Sequence, residues 1–213
     1  MPKTLAPVVP ALLQRLDQWL RLRRPAYFDS LRPGVPEREL TAFERDLGYN
    51  LPAGLRALYR WHDGQDPECD AAFARDKRFM RLEDIRAARE ALCQLLDAGE
   101  FPEVNWWSKA WLPFLDNGRG DHLCVDFAGA FAGTPGQLVL FYHDSECRNI
   151  EAPGLDTWLE AFVVGVEQGL WQEDGTAFQP VDRQQVRSLR ARLIPGYPRE
   201  KVAGMGGLVV HGW

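Results

Sequence analysis

His122, Cys124 and Asp126 are the side chains best placed by spacing to do chemistry in this 213-residue chain. On a strand their alternation puts all three on one face, and strand pairing would bring Asp116, His143 and Asp144 near them. A metal ion or an acid–base pair needs such residue types converging within a few ångströms. A metal-dependent hydrolase using His122, Asp126 and His143 is therefore one reading. Against it, no ligand spacing here is diagnostic of a metal. Cys124 serves as well as a small core hydrophobe, and a His or Asp at a sheet edge is ordinarily hydrogen-bonded or wet. Other signatures are missing. Ser30, Ser108, Ser145 and Ser188 have no Gly-x-Ser-x-Gly context. Gly204-Met205-Gly206-Gly207 lacks the preceding strand and following Lys-Ser/Thr of a phosphate loop, and reads as a flexible tail. The expectation is a protein with no catalytic residues, no metal and no cofactor.

Binding chemistry is better represented. Asp63, Asp66, Glu68 and Asp70 fall in a turn-rich stretch around Pro67, an acidic loop suited to a basic partner; the alternative is a solvated turn. Trp106-Trp107 lies on a connection, where paired tryptophans either anchor a partner or plug the end of a core. Arg183, Arg187 and Arg190 share one face of a C-terminal helix that can dock on the acidic body of its own chain or of a second copy.

The net charge of −5 conceals a sharper distribution. Residues 1–40 hold seven basic and four acidic side chains, residues 41–180 twelve and twenty-four, and residues 181–213 six and two. An acidic middle repels phosphate backbones, which argues against nucleic acid, and speeds encounter with a basic protein; its other use is plain solubility. No apolar run approaches the ~20 residues of a membrane span, and the opening Met1-Pro2-Lys3-Thr4 does not read as a signal peptide. Cys69, Cys93, Cys124 and Cys147 are far apart, without Cys-x-x-Cys or zinc spacing. They read as reduced thiols of a cytoplasmic chain, with a Cys124–Cys147 disulfide left open.

The elements that must position these groups follow from periodicity. Helices are expected over Ala11–Leu22, from Pro36 to a stop at Gly48, from Leu51-Pro52 to Asp63-Gly64, over Glu83–Ala98, after an Asp156 cap, and over Asp182–Leu193. Strands are expected over Trp111–Leu115, His122–Phe127 and Gln137–Tyr142, with weaker ones at Arg78–Leu82 and Cys147–Ile150. Gly118 and Gly120 suit a tight strand connection, where Asp121 can accept from loop amides. The order gives an α+β fold, an antiparallel-rich sheet of about four to six strands flanked by N-terminal helices and a C-terminal helix. The expected organisation is one domain over 1–178, with a helical extension at 1–36, then a basic helical extension and Gly-rich tail over 179–213.

Leu51-Pro52 opening a helix that ends in Trp61-His62-Asp63-Gly64, then Phe79-Met80-Arg81-Leu82, Trp111-Leu112-Pro113-Phe114 and Gly120-Asp121-His122-Leu123-Cys124-Val125-Asp126, resembles the SMI1/KNR4 (SUKH) family over roughly Glu37–Leu170. The resemblance implies a binder: either an immunity protein that blocks a bacterial toxin, such as a nuclease or another secreted effector, or a regulatory adaptor acting through protein contacts. Contact residues do not carry over, because family loops vary with the partner, whereas the resemblance implies that the matched Gly118, Gly120, Asp121 and Asp126 are structural framework positions.

Overall fold

The computed structural model describes residues 8–204, so the readings made for residues 1–7 and for Gly206 and Gly207 fall outside it. Helix α1 (Val8–Arg23) buries Val9, Leu12, Leu13, Leu16 and Leu20 on one stripe, the spacing of an amphipathic helix. A one-turn helix α2 (Pro25–Asp29) leads into β1 (Leu31–Pro33). Helix α3 (Glu37–Leu47) ends on Gly48 at φ 79°, the left-handed cap that glycine adopts without Cβ strain. Helix α4 (Ala53–Trp61) follows Pro52.

Beyond Trp61 the chain does not turn at Asp63-Gly64; it forms β2 (His62–Gln65), antiparallel to β1. Gly64 permits this, because a Cβ there would stand 2.6 Å from the Met80 carbonyl carbon at φ +70°. The next strand, β3, is only Arg78–Phe79. Its expected continuation to Leu82 is diverted into helix α5 (Leu82–Asp97), since Asp84 accepts from the Arg81 amide and Asp63 from the Leu82 amide.

Strands β4 (Trp111–Asp116), β5 (His122–Asp126), β6 (Gln137–Phe141) and β7 (Ile150–Ala152) join β3 in a five-stranded antiparallel sheet in sequence order. The fold is therefore α+β. In the meander Val125 pairs with Leu138 and Cys124 with Val139. Strand β7 starts three residues later than the weak strand expected near Cys147, because residues 147–150 bridge the C-terminal segment at Val202 and Arg199. Helix α6 (Leu155–Glu167) is capped by Gly154, with Asp156 inside its first turn. A hairpin of β8 (Trp171–Asp174) and β9 (Ala177–Pro180) then leads to α7 (Arg183–Leu193), whose Asp182 cap accepts from the Gln184 amide at 2.7 Å. The boundary expected at 178/179 falls inside β9, where Phe178 is 1% exposed and belongs to the main core.

Both faces of the sheet are covered. Leu112, Phe114, Leu123, Val125, Leu138 and Leu140 join the larger core with α1, α4 and α6. Trp107, Trp111, Cys124, Val139, Phe141 and Ile150 form a second core on the opposite face, walled by Leu92, Cys93 and Leu96 of α5. Trp107 meets Trp111 and Phe141 edge-on, at centroid distances of 5.7 and 5.1 Å, the arrangement the ring quadrupoles favour. Arg148, fully buried, closes this core. Its guanidinium lies over Trp106 and Phe141 and donates to the carbonyls of Trp106 (2.8 Å), Ser145 (2.5 Å) and Cys147 (2.6 Å). Burial lowers its pKa to about 10, which leaves it charged at neutral pH.

Truncating the two tryptophans separates their roles. Trp107→Ala, which empties a site in the second core, is expected to cost ~3–5 kcal/mol in urea unfolding. Trp106→Ala, at a half-buried site, should cost less than about 2 kcal/mol.

Candidate functional site

The residues with chemical potential divide into a saturated framework on the sheet and an open acidic surface beside it. Asp126, with no exposure, ends β5. Its carboxylate accepts from the amides of Ala128 (2.9 Å), Gly129 (3.1 Å) and Ala130 (2.6 Å) and from Gln137 Nε2 (2.8 Å). Every lone pair is spoken for, so the carboxylate shapes the 127–136 connection. Asp121 does the same at the other end of β5. It accepts from Asn117 Nδ2 and from both the backbone amide and the Nδ1 of His143, at 2.8 to 3.0 Å. Burial works to raise the Asp121 carboxyl, but these bonds to His143 outweigh it and leave it below the usual carboxylate range. Gly118 and Gly120 sit at φ 72° and 97° in this turn. Gly120 lies so close to His143 that a Cβ would stand 3.2 Å from that ring's Cγ.

His122, Asp126 and His143, the trio a hydrolase would use, are not assembled. Among the described residues the cluster within metal-ligand reach is Asp121, His143 and Asp144, and His143 already donates to Asp121. Cys124 lies in the second core, where burial pushes its thiol well up and keeps it protonated and inert. All four cysteines are free thiols, so Cys124 and Cys147 are not joined. The His122 ring stacks on Phe141 and is 6% exposed. Burial holds it below the ordinary imidazole range although Asp116 Oδ1 is 3.6 Å from Nδ1. At neutral pH that contact joins a neutral ring and a carboxylate, and is no ion pair.

The acidic stretch is ordered by a residue that no motif pointed to. Gln65, 4% exposed, accepts from Tyr27 OH (3.0 Å) and the Phe79 amide (2.9 Å) through Oε1. Its Nε2 donates to the carbonyls of Cys69 and Ala71, both at 2.8 Å. One side chain therefore ties α2, β3 and both sides of the loop tip together. Asp66 adds a local turn by accepting from the Glu68 amide at 2.9 Å, and its own amide donates to Ser30 O. The outcome is a fixed loop presenting Asp66, Glu68 and Asp70 to solvent. Asp63 stands apart from these three. It is half-buried in β2 and holds the start of α5, and burial raises its carboxyl.

Beside the loop lies a cleft of about 250 Å³, lined among others by Asp66, Arg78, Arg81, Asp84, Asp116 and His122. Arg78 is held by Asp116 at 3.4 Å and Arg81 by Asp84 at 2.7 Å, so both cations are internally paired. Trp107 is sealed inside and offers no contact surface, while Trp106 is half-buried over Arg148. Trp107 packs on Trp111 of β4 and Phe141 of β6, and Trp106 packs against the same core.

Residues 34–161 match the model of the SMI1 / KNR4 family (SUKH-1). This chain belongs to the SMI1/KNR4 family. Similar proteins include KNR4/SMI1 homolog 2 of Debaryomyces hansenii, 23% identical over 79% of this chain and 37% of that protein. The glucan synthesis regulatory protein of Neurospora crassa is 22% identical over 86% and 42%. The cell wall biosynthesis/cell cycle regulator smi1 of Schizosaccharomyces pombe is 24% identical over 93% and 42%. The chain thus spans about two-fifths of the length of these curated relatives. The SMI1/KNR4 match covers the sheet, the acidic loop and most of α6, and stops before the β8–β9 hairpin and α7. Among the described residues no helix is long and apolar enough to cross a membrane.

The histidines give the site a pH signature. Burial keeps His122 and His62 below their ordinary value when folded. The unfolded chain then binds more protons, and stability is lost as pH falls through roughly 6.5. His143 has the opposite sign, its pKa raised by the Asp121 hydrogen bond, so its contribution is present in acid and lost as pH rises through that raised value. His122→Asn should flatten the fall in denaturant midpoint between about pH 6.5 and 5, whereas His143→Asn should leave that range unchanged and remove a gain in midpoint seen as pH falls toward about 6.5 from above.

Proposed function

We propose that this chain is a non-catalytic, cytoplasmic immunity protein that neutralises a cognate toxin by binding it, with the loop carrying Asp66, Glu68 and Asp70 as the contact surface for a basic protein. The observation that carries the reading is the loop itself. Three exposed carboxylates stand on a backbone already fixed by Gln65, so little conformational entropy remains to be lost on binding. The acidic body supports the same choice, since complementary fields accelerate capture and reject like-charged competitors. Membership of a family the relatives' names associate with regulation supports binding over catalysis. The saturated state of Asp126 fits that choice too.

A second reading is a regulatory adaptor with several cellular partners, favoured by the printed names of the fungal relatives as regulators of glucan synthesis and the cell wall. The two part on one experiment. Co-expression with the product of the adjacent reading frame should rescue growth and yield a stable complex if the chain is an immunity protein; an adaptor gives neither, and captures housekeeping proteins instead.

The contact surface has its own test. The triple variant Asp66→Asn, Glu68→Gln, Asp70→Asn should unfold within about 0.5 kcal/mol of the parent per site, because all three are exposed. Its association rate with the captured partner, measured by stopped flow at low salt, should fall at least about tenfold. An unchanged rate would remove the loop from the interface.

A further inference from the structure

A second site lies on the opposite side of β4, between the sheet and the C-terminal segment. Leu115, Leu123 and Leu140 form its floor, Trp158 and Phe162 of α6 one wall, and Trp171 of β8 with α7 the roof. The cavity measures about 100 Å³. That is smaller than the ~150 Å³ engineered cavity that encloses benzene, but this one opens to solvent on one side, so a single ring can enter it with its substituent at the mouth.

Its polar groups converge at one end. Glu151, 5% exposed, is held by Arg190, whose Nη2 lies 3.0 Å from Oε2 and donates to the Glu151 carbonyl at 2.7 Å. Arg75 stands 4.0 Å from the same carboxylate, and the buried Lys77 is paired with Asp76 at 3.1 Å. Three cations thus face two anions around the cavity. Arg190 also has a buried Nε that lacks an acceptor among the described residues, and an orphaned buried donor is destabilising unless something fills its place.

We propose that this cavity binds a small, single-ring carboxylate, the ring lying on the leucine floor against Trp158 and Phe162 and the carboxylate meeting Arg75 and the free Nε of Arg190. Apolar walls with a few convergent donors are the usual make-up of a small-molecule site, and the excess cation selects an anionic head. The roof residues Trp171 and Arg190 lie outside the 34–161 span that matches the family. The site therefore draws on residues beyond the matched span and is separate from the acidic loop.

The probes are benzoate and phenylacetate, titrated calorimetrically into the full chain, with phenylacetamide and toluene as uncharged controls. Saturable one-to-one binding of at least one carboxylate is expected, at least about tenfold tighter than the matched control. Arg75→Gln, at an exposed side chain that leaves the Glu151–Arg190 pair intact, should weaken it about tenfold; Ala161→Leu, which fills the cavity, should abolish it while circular dichroism stays unchanged. No saturable binding of either carboxylate up to roughly 10 mM overturns the site. Equal binding of the uncharged controls overturns the carboxylate assignment, and full binding by Ala161→Leu overturns the location.

Discussion

The four hydrogen bonds of Gln65 are the constraint on which the proposed binding surface depends. An amide side chain offers two donor hydrogens and a carbonyl oxygen that accepts twice, and here both functions are used: Tyr27 and Phe79 on the oxygen, the Cys69 and Ala71 carbonyls on the nitrogen. Buried as it is, the amide would lose several bonds together if any one neighbour moved. The N-terminal helices, the edge strand and the acidic loop are consequently locked to each other, and the loop's charges point outward because its backbone has no other place to go.

The sheet obeys the same rule of buried polar groups satisfied from within. Asp126 and Asp121 stand at the two ends of the central strand β5, and each organises the connection next to it. That use gives residue types suited to catalysis a structural role in this arrangement. The Asp126 carboxylate, surrounded by amide donors, has no lone pair left for a metal or a proton, and a histidine stacked against Phe141 stays neutral. Arg148 completes the second core in the same way, its charge shared among three carbonyls and two aromatic faces.

Much of this was legible in the sequence where periodicity and turn chemistry speak directly. The stripe from Leu12 to Leu20, the Gly48 stop, the alternation through Leu123 and Val125, and the helix from Asp182 to Leu193 all appear at or within a few residues of their expected places. Short elements escaped, because two to five residues carry no period: α2, β1, β2 and the β8–β9 hairpin. The acidic charges were visible, but Gln65, which fixes them, was not, since a polar residue after Asp-Gly reads as loop until its partners from three separate elements are known. The cavity beneath α7 was hidden for a similar reason. Arg190 read as one of several helix cations, and only the tertiary contact with Glu151 sets it apart.

The central claim is that a pre-formed acidic loop is the surface this SMI1/KNR4 chain offers to its partner. Amide hydrogen exchange, followed peptide by peptide with the chain free and then saturated with its co-expressed partner, tests it most directly. The account predicts slow exchange in the free chain at the Asp66 and Cys69 amides, which are already hydrogen-bonded. On binding, further protection should centre on residues 66–71 and the neighbouring cleft. Fast exchange at those amides in the free chain, or protection on binding that falls elsewhere and leaves residues 66–71 unchanged, would contradict it.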